Sequence, residues 1–105
     1  MPDLEESGPR WEVICSPVNA EILRQLQRRA SRSGRGKAVA LAFRQIVERL
    51  QLDPTEFGEP CYRLSALRMQ VRTVVVRPLA VDFAVCEDHP LVFIKGATLL
   101  GESAF

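Results

Sequence analysis

One histidine, one tyrosine and one tryptophan occur in this chain, and aromatic residues make up only 7% of it. Chemistry that needs a histidine or a tyrosine therefore has a single candidate of each type, His89 and Tyr62. His89 sits in a polar turn just before Pro90, a place that suits an incidental role. Cysteine is scarce and odd in number: Cys15, Cys61 and Cys86. Their spacing fits neither a zinc site nor a Cys-x-x-Cys redox motif, so they are expected to be buried, reduced thiols, and no metal or cofactor is expected. No apolar run approaches the roughly 18 residues a membrane span needs. No apolar leader follows the acidic N-terminus, so a cytoplasmic protein is expected. No internal repeat is visible. Charge of one sign is not in excess either, because the net formal charge is +1.

What is present is enough apolar material for one core. Hydrophobic residues are 47% of 105 residues, which favours a single domain that needs no metal or disulfide to hold it. The expected organisation is a disordered lead-in over 1–10, one domain over 11–100 and a frayed tail over 101–105. The charge, neutral in sum, is unevenly spread. Arg10 to Leu50 holds nine Lys and Arg against Glu12, Glu21 and Glu48, which allows a local basic surface.

Met69 to Leu99 carries the strongest pattern. Three runs rich in β-branched and aromatic residues are separated by Arg77-Pro78 and by Glu87-Asp88-His89-Pro90. Strands joined this tightly must be antiparallel, so a three-stranded meander is expected. Its middle strand alternates. Leu79, Val81, Phe83 and Val85 share one face, and Ala80, Asp82, Ala84 and Cys86 the other. Such a sheet needs a cover on its apolar face.

The chain before it supplies candidates. Trp11 to Cys15 reads as a strand. Ser16-Pro17 then opens a helix, Ser as N-cap and Pro at the first helical position. This helix is expected over 17–33, with Val18, Ile22, Leu23, Leu26 and Ala30 as its apolar stripe. Arg24, Arg28 and Arg32 recur on the other side with Glu21 near them, either a solvated face or a nucleic-acid surface. After Ser33-Gly34-Arg35-Gly36, a second helix is expected over 37–51, burying Val39, Ala42, Phe43, Ile46, Val47 and Leu50. Leu41 falls off that face. A turn-rich connection follows over 53–60, then a short extended piece, Cys61 to Leu64. The expected fold class is α+β: strand, antiparallel helical hairpin, β-meander, with both helices on one sheet face.

That order of elements resembles the RelE/ParE family of toxins from bacterial type II toxin–antitoxin modules. The residues carrying the resemblance are Trp11-Glu-Val-Ile-Cys-Ser16-Pro17, Asp53-Pro54, Gly58-Glu-Pro60 with Arg63-Leu64, and the run from Val71-Arg72 through Val81 and Phe83 to Val85. The resemblance spans about Trp11 to Leu99. It implies a toxin that binds a cognate antitoxin and either cleaves mRNA on the ribosome or poisons DNA gyrase. RNA cleavage requires a proton acceptor, a cation for the crowded phosphate and an acid for the leaving oxygen. Arg72 and Lys95, helped by Arg63 and Arg68, are the catalytic candidates. Two family features are missing. Leu79-Ala80-Val81 stands where the family places an arginine, and no Tyr, His, Lys or Arg follows Leu99. The alternative expectation is a catalytically degenerate relative, or a nucleic-acid-binding module, that acts by binding alone.

Overall fold

The structure is a computed structural model that describes residues 10–101. Residues 1–9 and 102–105, and with them most of the expected lead-in and tail, lie outside the described residues. In chain order the elements are β1 (Glu12–Cys15), α1 (Pro17–Arg32), α2 (Gly36–Leu52), β2 (Glu59–Leu64), a 3₁₀ turn (Ser65–Leu67), β3 (Met69–Val76), β4 (Leu79–Cys86) and β5 (Leu91–Leu99). The fold is α+β, with two helices and one mixed five-stranded sheet of order β1-β5-β4-β3-β2. Residues β3 to β5 form the expected antiparallel meander. The last strand runs on through Gly96 to Leu99.

Local chemistry explains the starts and stops. Ser16 is extended (φ −65°, ψ 158°), and its Oγ accepts from the Asn19 N–H at 3.2 Å, with Pro17 in the first turn. Gly34 takes φ +80° just past α1, the left-handed geometry that glycine adopts most easily. From the hairpin link, Arg35 donates through Nη1 to the Leu100 carbonyl at 2.6 Å. This ties the turn between the helices to the end of β5.

The core lies between the helices and one sheet face. Leu79, Val81, Phe83 and Val85 of β4 are buried there with Leu26 and Ala30 of α1 and Val39, Ala42, Ile46 and Leu50 of α2. The helices therefore cover the face that the β4 alternation marks out. No polar or charged residue is buried among the described residues.

Two expectations about burial need correction. The α1 stripe does not bury its N-terminal half: Val18 is 71% exposed and Ile22 40%. α1 begins two residues after β1, which is an edge strand, so its first turns stand at the rim of the sheet. Cys61 is exposed rather than buried, because β2 is the opposite edge and its register shifts between Pro60 and Tyr62. Cys15 and Cys86 are half-buried, and all three thiols are free.

Candidate functional site

Strand register decides which face each candidate residue occupies, since residues directly opposite in an antiparallel pair share a face. Arg72 lies opposite Phe83, which is fully buried beneath the helices. Arg72 is thus on the helix side of the sheet. Its Nε donates to the Phe57 carbonyl at 2.9 Å and its Nη2 to the Gly58 carbonyl at 3.0 Å. The guanidinium holds the 53–58 connection against β3.

Lys95 is exposed in β5 at a β-bulge: Phe83 pairs with Ile94 and Asp82 with Gly96, which leaves Lys95 as the extra residue. Ile94, beside it, belongs to the core, whereas Lys95 is exposed to solvent. The structure does not bring Arg72 and Lys95 together: they stand on β3 and β5 with β4 between them, and Lys95 does not line the cleft that Arg72 lines.

The remaining two candidates are engaged with acids. Arg63 grips Glu87 with two parallel donors, Nε at 2.5 Å and Nη2 at 2.8 Å, and reaches Ser65 Oγ with Nη1 at 3.3 Å. This hydrogen-bonded pairing holds the Glu87 carboxyl below its ordinary range and raises the Arg63 guanidinium. Arg68, in left-handed geometry at φ 54°, lies 3.3 Å from Asp88. His89 is exposed in the β4–β5 turn, and Tyr62 is 53% exposed on β2.

Arg72 and Glu87 share the lining of a cleft of about 380 Å³ with Trp11, Thr55, Gln70 and Cys86. Three of the polar side chains here already have protein partners. Gln70 Nε2 donates to the Tyr62 carbonyl at 3.0 Å, Arg72 to the loop carbonyls, and Glu87 accepts from Arg63. Cys86 is pushed up by burial and further by the nearby Asp88 charge, so its thiol is held protonated rather than activated.

Sequence reasoning missed a second concave feature. A groove of about 320 Å³ runs between α1 and α2, floored by Leu23, Val39, Phe43 and Leu79 and edged by Gln27 and Arg44. The exposed Leu41 was the one residue that pointed to an unused helix surface. Among the described residues no group of three or more His, Cys, Asp or Glu is placed to hold a metal. No described helix is long and apolar enough to cross a membrane. No family model, curated protein or solved structure matches the chain.

Proposed function

We propose that the chain is a RelE/ParE-like toxin subunit that acts by binding a protein target, in the manner of the gyrase poisons, and not by cleaving RNA. The order strand, helical hairpin and antiparallel strands supports the toxin-like reading, together with a helical layer on one sheet face. The observation that carries the choice of mechanism is the dispersal of the cations. Stabilising a phosphorane-like transition state needs several donors converging on one point. Here Arg72 is bound to loop carbonyls, and Lys95 is exposed at a bulge on β5, outside the cleft that Arg72 lines. Arg63 and Arg68 are paired with Glu87 and Asp88. An antitoxin encoded beside it is the partner this reading implies.

The test is induced expression in a bacterial host, followed by gyrase supercoiling and cell-free translation assays with the purified protein. Growth arrest that is rescued by the adjacent reading frame, with supercoiling blocked and mRNA intact, is the expected result. Cleaved mRNA would overturn the mechanism. Unimpaired growth at high expression would overturn the toxin reading itself.

A further inference from the structure

The sheet has a second apolar face. Residues paired across strands share a face, so the register can be followed through all five strands. Ile14, Phe93, Ala84, Val71 and Tyr62 form one continuous row from β1 to β2. Two residues along each strand, Leu91, Cys86, Met69 and Leu64 form the next row on the same face. None of these residues belongs to the core beneath the helices. Val71 and Ala84 are nonetheless buried, Tyr62 is exposed at the β2 edge, and the others are half-buried. Both helices pack on the opposite face, so no described helix covers this band.

The row beyond Phe93 and Ala84 carries charge of one sign. Gly96, Asp82, Thr73 and Glu59 lie opposite one another in turn across β5, β4, β3 and β2. Asp82 and Glu59 are exposed, and neither carboxylate has a hydrogen-bond or ion-pair partner among the described residues. Lys95, at the bulge next to Gly96, makes no ion pair with either. Glu12, paired with Leu91 at the β1 end of the band, is a third exposed acid without a partner. An apolar band spanning the sheet is therefore flanked by unspent negative charge.

We propose that this band docks a cationic amphipathic helix of a partner protein. Its size excludes larger occupants. Five strands about 4.8 Å apart and two rows about 6.7 Å apart give a footprint of roughly 24 by 13 Å, near 300 Å². A stable dimer needs about 800 Å² from each partner, and a second copy would bring the same acids to the contact. One helix, about 10–12 Å across, fills the width, and about 16 helical residues fill the length. An extended peptide is the poorer occupant. The band is the face of a sheet and not its edge, so it offers side chains and no backbone partners. A peptide laid on it would leave N–H and C=O groups unpaired, whereas a helix satisfies its own. The apolar stripe of the helix rests on the Phe93 and Leu91 rows, and Lys or Arg along its flank meet Asp82 and Glu59. The band is defined by register and burial alone, so its role is independent of the toxin reading.

The experiment is fluorescence anisotropy of the full chain with two labelled peptides of about 16 residues. One is a Leu/Lys amphipathic helix, and the other has Glu in place of every Lys. The Leu/Lys peptide should bind, and the Leu/Glu peptide at least about tenfold more weakly. E59Q/D82N should weaken the Leu/Lys peptide roughly fivefold, as the loss of two exposed ion pairs would. Y62S should weaken it too, by removing the aromatic end of the band. E48Q/E56Q, which removes the same charge from α2 and from the 53–58 connection, should leave its affinity unchanged. Thermal melts of all three variants should match the wild type, because the altered side chains are exposed. No anisotropy change with the Leu/Lys peptide at about 0.1 mM protein, a concentration that detects even weak segment binding, would overturn the proposal. So would equal affinity for the Leu/Glu peptide, or an equal loss in E48Q/E56Q. A stable dimer of the free chain that Y62S dissolves would give the band to a second copy and overturn it as well.

Discussion

Arg72 on β3 donates to the backbone carbonyl of Phe57 at 2.9 Å, closing a link across 15 residues of chain. Phe57 in turn stacks on Phe83, with ring centroids 6.2 Å apart, and lies beneath Arg49, whose guanidinium carbon is 4.6 Å from the ring centre. One half-buried arginine thus pins the connection between α2 and β2 to the sheet, and the pinned loop delivers an aromatic ring to the core.

Arg72→Ala should lower stability by about 2–3 kcal/mol, the range for losing charged donors to two carbonyls. Arg72→Lys should recover little of it, because a single ammonium does not reproduce the two-pronged contact. Urea unfolding midpoints measure this. A midpoint unchanged in Arg72→Ala would show that the loop is held by other contacts.

Phe83→Ala should lower stability by roughly 3–5 kcal/mol. Phe83 is fully buried at the centre of β4 and touches both the helical layer and Phe57. Calorimetry should show a clearly lower melting temperature, and a shift near zero would refute the placement of the core. Lys95→Ala is the contrasting case, an exposed bulge residue whose loss should stay within about 0.5 kcal/mol.

Gly58→Ala should destabilise the protein by at least 1 kcal/mol or so. Gly58 has φ +74°, and an added Cβ would collide with the carbonyl of Thr73. Since the obstacle is backbone in β3, a rotamer change gives no relief. Chemical denaturation of this variant beside Gly34→Ala separates the two effects. Gly34 also has positive φ, but its Cβ would meet open space, so it should be the milder change.

Stability should depend on pH through the pair Arg63–Glu87. Glu87 titrates below the ordinary 4.5 in the folded chain because Arg63 hydrogen-bonds its charged form. A depressed carboxylate contributes stability above 4.5 and loses that contribution as pH falls through its folded value. Arg63 is shifted upward, so it stays charged throughout the range in which Glu87 titrates. Wild type should therefore exceed Arg63→Gln in stability at pH 7, and the gap should narrow as pH falls below 4.5. The gap should be small, since the pair is exposed to solvent. A gap that stays undiminished down to the acid unfolding limit would assign it to packing.

Native thiol labelling should report one fast cysteine. Cys61 is exposed, whereas burial raises both Cys15 and Cys86 and so suppresses their thiolates. With a disulfide reagent near pH 8, Cys61 should react first and the other two on unfolding. Three equal fast rates would contradict the half-buried positions.

Local pattern alone determined most of the elements. The alternation of Leu79, Val81, Phe83 and Val85 marked the buried side of β4, and Ser16-Pro17 marked the start of α1, because both signals are written within a few consecutive residues. Strand order was not legible. β1 pairs in parallel with β5, Cys15 opposite Ile94, and only the return of the chain across the helices brings those distant segments side by side. The candidate site was decided the same way. An uninterrupted period of two put Arg72 and Lys95 within reach of one face. Pairing with Phe83 turned Arg72 towards the helices, and the bulge left Lys95 exposed without a partner on β4. A register fixed by partners on other strands, and one residue without a partner, separate two charges that the linear sequence could not tell apart.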